Sequence, residues 1–567
     1  MKLTLGVAIA LTLASPIVLS EELPQQDDIW FTDAQEQLKQ KLAQTPNTNR
    51  AKNIIVLIAD GNGVGTNMAT RIWHGQQQGM LGEENVLPYE SFPYLALAKT
   101  YNTNAQIPDS SGTATAILTG IKTKAGVVGV DESVTRGDCQ AADAGSVKTI
   151  AEILGEQGRS IGFVTTARIT HATPASGYAH TADRNYEDNS ELPDGCSVPD
   201  IAVQLLEHMK SGVVDIAMGG GRRHFLPEGV VDEEKQSGRR TDGRNLLEEA
   251  KALGAQYAWD DASFSQLDLT SGKPILALFE SSHMQYEHDR ANEPSLADMV
   301  EASISALQGN EKGFFLEVEA GRVDHANHDG NLHRTVTDGV AFADAVARAV
   351  EMTNPEDTLI IATADHEHAI AFNGYCGRGT PITGLCYGID LAGTKHTDEL
   401  QLGDDGLPYS VVGYLNGPGA VIKQEVVNET TAAIERLHAE SKLVQQSGAV
   451  ASAETEQQML PPDENTWKIT FAGQVAATRE EAIATEIGDD GEIPAANAVW
   501  IGSRPVLTQE DATDPDFLQQ ALIPRSSETH SGEDVAIYAS GPWAHLFDGT
   551  VEQNYIFHVM QHAASVE

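Results

Sequence analysis

Positive charge is scarce in this 567-residue chain, which has 37 lysine and arginine residues against 82 aspartate and glutamate residues. The formal net charge is −45. A surface of that sign repels nucleic acid and anionic lipid, so we expect neither as a partner. An anionic substrate would need a site that makes its own positive potential, which bound metal ions supply. Such acidity is also typical of proteins that work in high salt, so we expect a halophilic protein.

Long hydrophobic runs are lacking beyond the N-terminus, because no later segment reaches ~18 uninterrupted apolar residues. At the start of the chain, Lys2 precedes an apolar stretch at 3–19, and Ser20 offers a small residue for cleavage. This pattern predicts a signal peptide at residues 1–20, with a membrane anchor as the alternative. We therefore expect a periplasmic or secreted protein without a membrane contact.

Cysteine is rare as well, with four residues: Cys139, Cys196, Cys376 and Cys386. An even number in an exported chain suggests two disulfides, and sequence alone permits three pairings. The closeness of Cys376 and Cys386 favours a bond between them, which would leave Cys139 to pair with Cys196. No two cysteines have the tight spacing of a cysteine-based zinc site.

Strand-like and helical segments alternate from residue 51 to about 373. The expected strands are 54–59, 161–166, 213–218, 274–279, 313–319 and 358–364, and the expected helices are 111–119, 146–157, 199–211, 295–308 and 336–352. This alternation predicts an α/β fold, a three-layer α/β/α sandwich around a mostly parallel sheet.

The amino-acid composition of the chain changes after residue 373. Glycine, proline, cysteine and threonine crowd the next twenty residues or so, and an acidic, helix-like stretch near 428–458 ends before Pro461. An alternating strand and a final helix near 552–564 follow. We interpret 374–525 as a long insertion in one catalytic domain, which consists of residues 21–373 and 526–567.

Three apolar runs end on acidic residues, namely Asp60, Glu319 and Asp365, with His366 next to the last. In open α/β sheets the ligand site lies at the carboxyl ends of the strands, so these carboxylates should converge. Converging carboxylates repel each other unless a cation holds them together. One strand that ends on a polar residue needs no function, but three predict a metal site.

Further candidate ligands follow the second of these strands. If a helix begins after Glu319, Asp324 and His328 lie one turn apart on the same face. A carboxylate and an imidazole in that arrangement form half of a zinc site. His368 follows the third strand, and we interpret it as a bystander rather than a ligand.

Asp109 and Ser110 are predicted to open a helix over 111–119. Helix N-termini bind phosphate because free N–H groups and the helix dipole point at the anion. Ser110 or Ser111 is therefore a candidate nucleophile, although Asp109 taken alone reads as an ordinary N-cap.

As a set, these segments resemble the alkaline phosphatase family. The segments that carry the resemblance, in the family's order and spacing, are Asp60-Gly-Asn-Gly, Asp109-Ser-Ser-Gly-Thr-Ala-Thr, His171-Ala-Thr-Pro, Glu319 through His328, Thr363-Ala-Asp-His and Thr529-His530-Ser-Gly. The resemblance covers roughly residues 51–373 and 527–564.

The resemblance implies a homodimeric enzyme that hydrolyses small phosphate monoesters of broad type through a phosphoserine at Ser110. Arg184 would bind the phosphate, since its planar guanidinium meets two phosphate oxygens at once. The implied cofactors are two Zn²⁺ ions and one Mg²⁺ ion. Their implied ligands are Asp324, His328 and His530 for one zinc, Asp60, Asp365 and His366 for the other, and Asp60, Thr173 and Glu319 for magnesium.

The chain also departs from the family's usual pattern. His171 and His325, near the substrate phosphate, stand where the family often has aspartate and lysine, although other members carry histidine at both positions. The segment that begins at Tyr409 is similar to the family's crown subdomain, while residues 425–500 match nothing. Phe279-Glu280 resembles part of a calcium site found in some members.

Other functions on the same scaffold remain as alternatives. Sulfatases place their nucleophile in a Cys/Ser-x-Pro-x-Arg context, which the sequence after Ser110 lacks. Phosphodiesterases often use threonine and lack the arginine. A secreted, non-catalytic zinc-binding protein would need neither Ser110 nor Arg184.

Overall fold

The computed structural model describes residues 23–389, 396–403, 405–420, 469–471, 474–476 and 504–565. The expected signal peptide and the acidic stretch near 428–458 lie outside these residues. The described residues up to Thr45 and those from Pro46 onward form two compact units, each of which is described by itself. None of the described helices combines the length and apolar character that crossing a membrane requires.

The strands are β1 (Asn53–Ala59), β2 (Tyr94–Lys99), β3 (Ser160–Arg168), β4 (Ile216–Gly220), β5 (Gln256–Ala258), β6 (Ile275–Leu278), β7 (Phe314–Ala320), β8 (Thr358–Ala364), β9 (Glu367–His368), β10 (Ile370–Phe372), β11 (Tyr387–Ile389), β12 (His396–Leu400), β13 (Val412–Gly417), β14 (Ile469–Phe471), β15 (Gln474–Ala476), β16 (Ala521–Pro524), β17 (His530–Ser531), β18 (Val535–Ser540) and β19 (Gly549–Glu552).

The α-helices are α1 (Ile29–Ala43), α2 (Val64–Gln77), α3 (Ser110–Thr119), α4 (Cys139–Gly145), α5 (Ile150–Glu156), α6 (Ala172–Ala175), α7 (Ile201–Ser211), α8 (Leu246–Ala252), α9 (Asp261–Phe264), α10 (Leu296–Leu307), α11 (Arg322–His328), α12 (Leu332–Met352), α13 (Gln509–Thr513) and α14 (Tyr555–Ser565). In the N-terminal unit, Asp28 caps α1, because its side chain accepts a hydrogen bond from the backbone N–H of Trp30.

A ten-stranded sheet organises the second unit, in the order β19-β2-β18-β8-β1-β7-β3-β4-β6-β5. Its strands are parallel except β18, which runs antiparallel to both of its neighbours. The predicted α/β fold with a mostly parallel sheet is therefore confirmed. The six predicted strands are present with shifts of at most three residues at their ends, whereas β5 at one edge and β2 and β19 at the other were not predicted.

Both faces of the sheet are covered, which is why its central strands read as unbroken apolar runs. On β1, Ile54 and Val56 belong to one hydrophobic core, and Ile55 and Leu57 belong to the other. Side chains of α3, α5, α7 and α14 complete the first core, and those of α10 and α12 complete the second. The result is the predicted three-layer sandwich.

Caps explain two of the shifted helix starts. Thr149 accepts a hydrogen bond from the N–H of Glu152, so α5 begins at Ile150. Asn331 accepts one from the N–H of Arg334, so α12 begins four residues earlier than expected.

The described part of the region after residue 373 forms small sheets. β13 pairs antiparallel with β10 and parallel with β16, and β17 pairs antiparallel with β9. Cys139 is bonded to Cys196 and Cys376 to Cys386, so the favoured pairing is the one observed. The predicted boundaries of the insertion stay a prediction.

Candidate active site

Three neighbouring strands of the sheet bring their carboxyl ends together. β1 lies between β7 and β8, and Ala59 is in register with Ala320 on one side and Ala364 on the other. Asp60 and Asp365 follow β1 and β8, and Glu319 is the penultimate residue of β7. The three carboxylates, fully buried, meet at one edge of the sheet.

Asp60, Asp365 and His366 form the first group of candidate ligands. The Nε2 atom of His366 lies 3.3 Å from a carboxylate oxygen of each aspartate. Asp365 accepts hydrogen bonds from the N–H of Gly61 at 3.0 Å and from the hydroxyl of Thr113 at 3.1 Å. These bonds hold the carboxylate while leaving both aspartates facing the imidazole.

Asp324, His328 and His530 form the second group. Asp324 and His328 share one face of α11, with a carboxylate oxygen 3.4 Å from Nε2 of the imidazole. The Nε2 atom of His530 lies 3.3 Å from Asp324 and 3.1 Å from the Nε2 atom of His328. The pairing of β17 with β9 positions His530, although it lies 202 residues after His328 in the sequence.

His368, which the sequence reasoning interprets as a bystander rather than a ligand, contacts the second group directly. Its Nε2 atom lies 2.9 Å from Asp324, and its Nδ1 atom lies 2.6 Å from Glu528. Burial opposes protonation, but the carboxylates of Glu528 and Asp324 raise the pKa of His368 to about 10. Sequence reasoning missed Glu528, and the available signal was its place two residues before His530.

Asp60, His171 and Glu319 form a third group whose candidate ligand atoms lie within 4.8 Å of one another. Thr173, on the short helix α6, is buried beside them. The hydroxyl of Thr165 donates to Glu319. Every residue that the sequence assigned to the three metal sites, except Thr173, thus belongs to one of these groups, and Thr173 adjoins Glu319 of the third.

The chemistry of these donors fits metal ions. Among the described residues, several buried polar atoms at the site lack a hydrogen-bond partner: both carboxylate oxygens of Asp60, Oε1 of Glu319, Oγ1 of Thr173 and Nδ1 of His366. Burial and the neighbouring carboxylates raise the pKa of Asp60 far above its ordinary value, and burial raises that of Glu319 to about 7. Cations would restore the charged forms, and this mixture of nitrogen and oxygen donors suits zinc and magnesium.

Ser110 is the first residue of α3, and its Oγ atom lies 3.1 Å from Nε2 of His366. Asp109 caps the helix by accepting a hydrogen bond from the N–H of Ser111. All ten residues of α3 are buried, so the helix N-terminus is fixed by packing. The hydroxyl therefore stands beside both the free N–H groups of the helix and the first group of ligands.

Arg184 lies at the same helix start. Its guanidinium donates to the carboxylate of Asp109 and, at 3.1 Å, to Nε2 of His171. Burial disfavours the charged form of Asp109, but Arg184 and hydrogen bonds from Ser111 and Gly126 hold its pKa below the ordinary value. A fixed, charged guanidinium beside Ser110 is suited to binding a phosphate.

His171 and His325 are joined by a histidine that the sequence reasoning did not single out, His283. The centroids of the His283 and His325 rings are 4.1 Å apart, and that of His171 is 5.2 and 5.5 Å from them. Burial and Arg322 lower the pKa of His325 to about 3, and burial and Arg184 lower that of His171. Both imidazoles are therefore neutral at ordinary pH.

Glu280 lies in the segment after β6, where its carboxylate accepts a hydrogen bond from Gln285 at 3.0 Å. Burial and the negative charge of Glu280 raise the pKa values of Glu234 and Glu293, the latter to about 8. Three carboxyl groups thus lie near one another here, and the calcium site stays an expectation.

Comparisons with known proteins show the family of the chain. A family model described as alkaline phosphatase matches residues 51–458 and 462–566. The expectation that residues 425–500 match nothing is therefore wrong, because the family match includes nearly all of them. The chain is 36% identical to the tissue-nonspecific alkaline phosphatase of Gallus gallus over 580 residues, covering 99% of this chain and 94% of that protein. It is 36% identical to an alkaline phosphatase of Gadus morhua over 563 residues, covering 96% and 98% of the two proteins.

Solved structures show the same fold. The alkaline phosphatase of Thermus thermophilus superposes with a TM-score of 0.55 at 21% identity, over 93% of this chain and 94% of that one. A mutant of the TAB5 alkaline phosphatase with Mg bound in its M3 site gives a TM-score of 0.53 at 19% identity, over 92% and 99% of the two chains.

Proposed function

Because the chain belongs to the alkaline phosphatase family, and is therefore a phosphoric monoester hydrolase, we propose that it acts through a phosphoserine formed at Ser110. The observation that carries the proposal is the Ser110 hydroxyl 3.1 Å from the imidazole of His366, at the start of a buried helix. Attack by Oγ would form an O–P bond, break the ester bond and release the alcohol. Water would then hydrolyse the phosphoserine to inorganic phosphate.

We propose that two zinc ions and one magnesium ion are the cofactors. Asp324, His328 and His530 would hold one zinc, Asp60, Asp365 and His366 the other, and Asp60, Thr173 and Glu319 the magnesium. When bound, zinc lowers the pKa of a hydroxyl or water and balances the charge of the phosphate. The buried donor atoms without partners support this assignment, as does the Mg reported for the TAB5 mutant.

The remaining steps rest on side chains of this protein. Arg184 would donate to two oxygens of the phosphate, and Asp109 and His171 hold its guanidinium in place. His368 would keep the carboxylate of Asp324 turned toward its two histidine neighbours, because its other nitrogen is fixed by Glu528.

We further propose a homodimer that is exported to the periplasm or secreted, with residues 374–525 as its crown-like insertion. Exposed apolar side chains support the dimer: Leu95 and Leu97 on β2, Leu415 on β13 and Leu522 on β16. Two disulfides suit an oxidising compartment. The net charge of −45 supports high-salt conditions and argues against a nucleic-acid partner.

The test combines metal analysis with turnover of p-nitrophenyl phosphate. The wild type should contain two zinc ions and one magnesium ion per chain and hydrolyse this monoester much faster than bis(p-nitrophenyl) phosphate. His530→Ala should lose both zinc and activity, whereas the exposed His288→Ala should lose neither. A His530→Ala protein with full zinc and full rate would remove His530 from the site.

A diesterase would show the opposite substrate preference. A non-catalytic zinc-binding protein would contain the metal without turnover of either ester.

A further inference from the structure

An arginine and a histidine face each other with hydrogen-bond donors beside the candidate active site. The Nε and Nη2 atoms of Arg168 donate to the carboxylate of Glu187, at 2.6 to 3.1 Å. Its Nη1 atom points away from that carboxylate and contacts Nε2 of His283. The Nδ1 atom of the same imidazole accepts a hydrogen bond from the backbone N–H of Arg168 at 3.3 Å.

His283 faces more donors than it can accept. A neutral imidazole has one acceptor nitrogen and one N–H, whereas the backbone N–H and the guanidinium of Arg168 can only donate. Whichever nitrogen of His283 carries the hydrogen, its N–H therefore meets a donor of Arg168. Two donors that face each other need an acceptor shared between them, and an oxyanion provides one.

A second arginine–histidine pair adjoins the first. Arg322 donates to Nδ1 of His325 at 3.1 Å, so Nε2 of that imidazole carries a hydrogen. The rings of His325 and His283 are 4.1 Å apart. Arg322 stacks on Tyr286 at 3.7 Å and forms no direct ion pair within the described part of the chain. The carboxyl groups that respond to its charge, those of Asp338 and Asp289, are farther away.

The geometry of the histidines alone would also allow a metal ion, since His171, His283 and His325 have ring nitrogens within 4.8 Å of one another. The charges argue against it. Each ring contacts an arginine, namely Arg184, Arg168 and Arg322. A cation placed among them would meet three guanidinium groups at close range. An anion would be attracted mainly by Arg322, since Arg168 and Arg184 are already paired with Glu187 and Asp109.

We propose that Arg168, His283, His325 and Arg322 form a second oxyanion subsite, which binds an anionic group on the leaving side of a phosphate ester. The inference rests on the proposed function, because it extends the phosphate site at Arg184. Arg184 contacts His171, whose ring borders both other histidines, so the two anion sites are contiguous. Each of these four residues is partly exposed.

The expected preference is for substrates with two oxyanions, such as a phosphate ester of a hydroxy acid or a phosphoanhydride. The subsite adds binding only, so the bonds formed and broken at Ser110 are unchanged. In a protein of net charge −45, such a site would also counter the general repulsion of a doubly charged substrate.

The test measures competitive inhibition of p-nitrophenyl phosphate hydrolysis by three non-hydrolysable probes, with zinc and magnesium saturating. Methylphosphonate carries one oxyanion, methylenediphosphonate carries two phosphonates, and phosphonoacetate carries a phosphonate and a carboxylate. The wild type should bind methylenediphosphonate at least ~10-fold more tightly than methylphosphonate, the scale of one charge-assisted contact.

Two variants of His283 sharpen the result. His283→Gln should reduce this ratio of inhibition constants, and His283→Asp should bring it to about one or below, because a carboxylate repels the second anion. Arg322→Met should also reduce the ratio. His288→Gln, at an exposed histidine five residues along the same segment, is the matched control and should keep the wild-type ratio.

Each outcome decides the proposal. If the His283 variants lose the preference over methylphosphonate only for methylenediphosphonate, the subsite binds a phosphoryl group. If they lose it for phosphonoacetate as well, the subsite binds oxyanions in general. Both results support the proposal. Equal ratios in the wild type and His283→Asp, at unchanged melting temperature, overturn it. Metal analysis could instead find one additional metal ion per chain in the wild type and in His283→Asp but not in His283→Gln. That result would overturn the proposal and identify a metal site. Metal removal by the diphosphonate would affect all variants equally.

Failure of the proposed function is a separate result. In that case the wild type would not hydrolyse p-nitrophenyl phosphate at all, and inhibition could not be measured.

Discussion

The Nε2 atom of His366 lies 3.1 Å from the hydroxyl oxygen of Ser110, although the two residues are 256 positions apart in the sequence. One follows the central strand β8 and the other begins α3. The proposed nucleophile and a proposed metal ligand are therefore direct neighbours, each held by a rigid element. A change at either residue should be felt in turnover rather than in folding.

Ser110→Ala should lower kcat for p-nitrophenyl phosphate by several orders of magnitude, because it removes the proposed nucleophile. Ser111→Ala is the matched control, since the Ser111 hydroxyl donates to Asp109 rather than facing the metal-ligand groups. Trapping at low pH with labelled phosphate should label the wild type and Ser111→Ala on Ser110. Label on a different residue would contradict the assignment.

Arg184→Ala should weaken binding of phosphate and of monoesters by roughly 2–3 kcal/mol, the scale of a charge-assisted bidentate contact. Diesters should lose much less, because they offer one fewer free oxygen. Arg136→Ala is the control, since that exposed side chain bonds Asp183 at 2.9 Å and does not face Ser110. Equal losses for monoesters and diesters would rule out the proposed role of Arg184.

The pair formed by His180 and Glu152 should stabilise the fold in a defined pH window. Their side chains are 3.2 Å apart. Burial opposes the charges of both, but their mutual attraction raises the pKa of His180 and lowers that of Glu152. The contribution of His180 is present below its unfolded pKa of ~6.5, and that of Glu152 above ~4.3. Stability is lost as pH rises through the folded pKa of His180 or falls through that of Glu152.

His180→Gln should therefore lower the free energy of unfolding by about 1 kcal/mol near pH 5.5 and by much less near pH 9. The melting temperature should fall most at the lower pH. His208→Gln is the control with the opposite trend. Burial lowers the pKa of His208, so the native residue destabilises the fold as pH falls, and its removal should help at acid pH. Parallel pH profiles for the two variants would refute the pairing.

Salt should stabilise the protein. With a net charge of −45, repulsion opposes the compact state, and the Debye length falls from ~30 Å at ~0.01 M salt to ~3 Å at 1 M. The melting temperature should rise over this range in sodium chloride with zinc saturating, and an uncharged osmolyte of equal osmolality is the control. A melting temperature that does not change between ~0.01 and 1 M sodium chloride would show that the acidic residues do not adapt the stability of the protein to high salt.

The part of the site that sequence predicts is the part that local pattern encodes. Asp60, Glu319 and Asp365 stand out because each ends a run of buried strand, and the order of parallel strands then requires their ends to meet. Asp324 and His328 follow from helix periodicity alone. The strands and helices of the sandwich were predicted on the same basis.

The parts that sequence reasoning missed depend on tertiary contacts. His368 and Glu528 are 160 residues apart, and nothing local marks them as partners. His283 reaches His325 from the loop after β6, with no motif around it. The edge strands β2 and β19 were missed because their pairing with β18 and with each other is not visible in short, half-exposed segments.

The pairing of β9 with β17 sets His530 opposite His368 and Ser531 opposite Glu367. Both ends of the intervening chain are thus fixed at the base of the active site, whatever its length. Each doubling of a flexible loop adds only ~0.6 kcal/mol to the entropy cost of closing it. This segment is consequently a site where a guest domain can be inserted without displacing the proposed zinc ligand that follows, which makes the enzyme a scaffold for biosensors whose output is phosphatase activity.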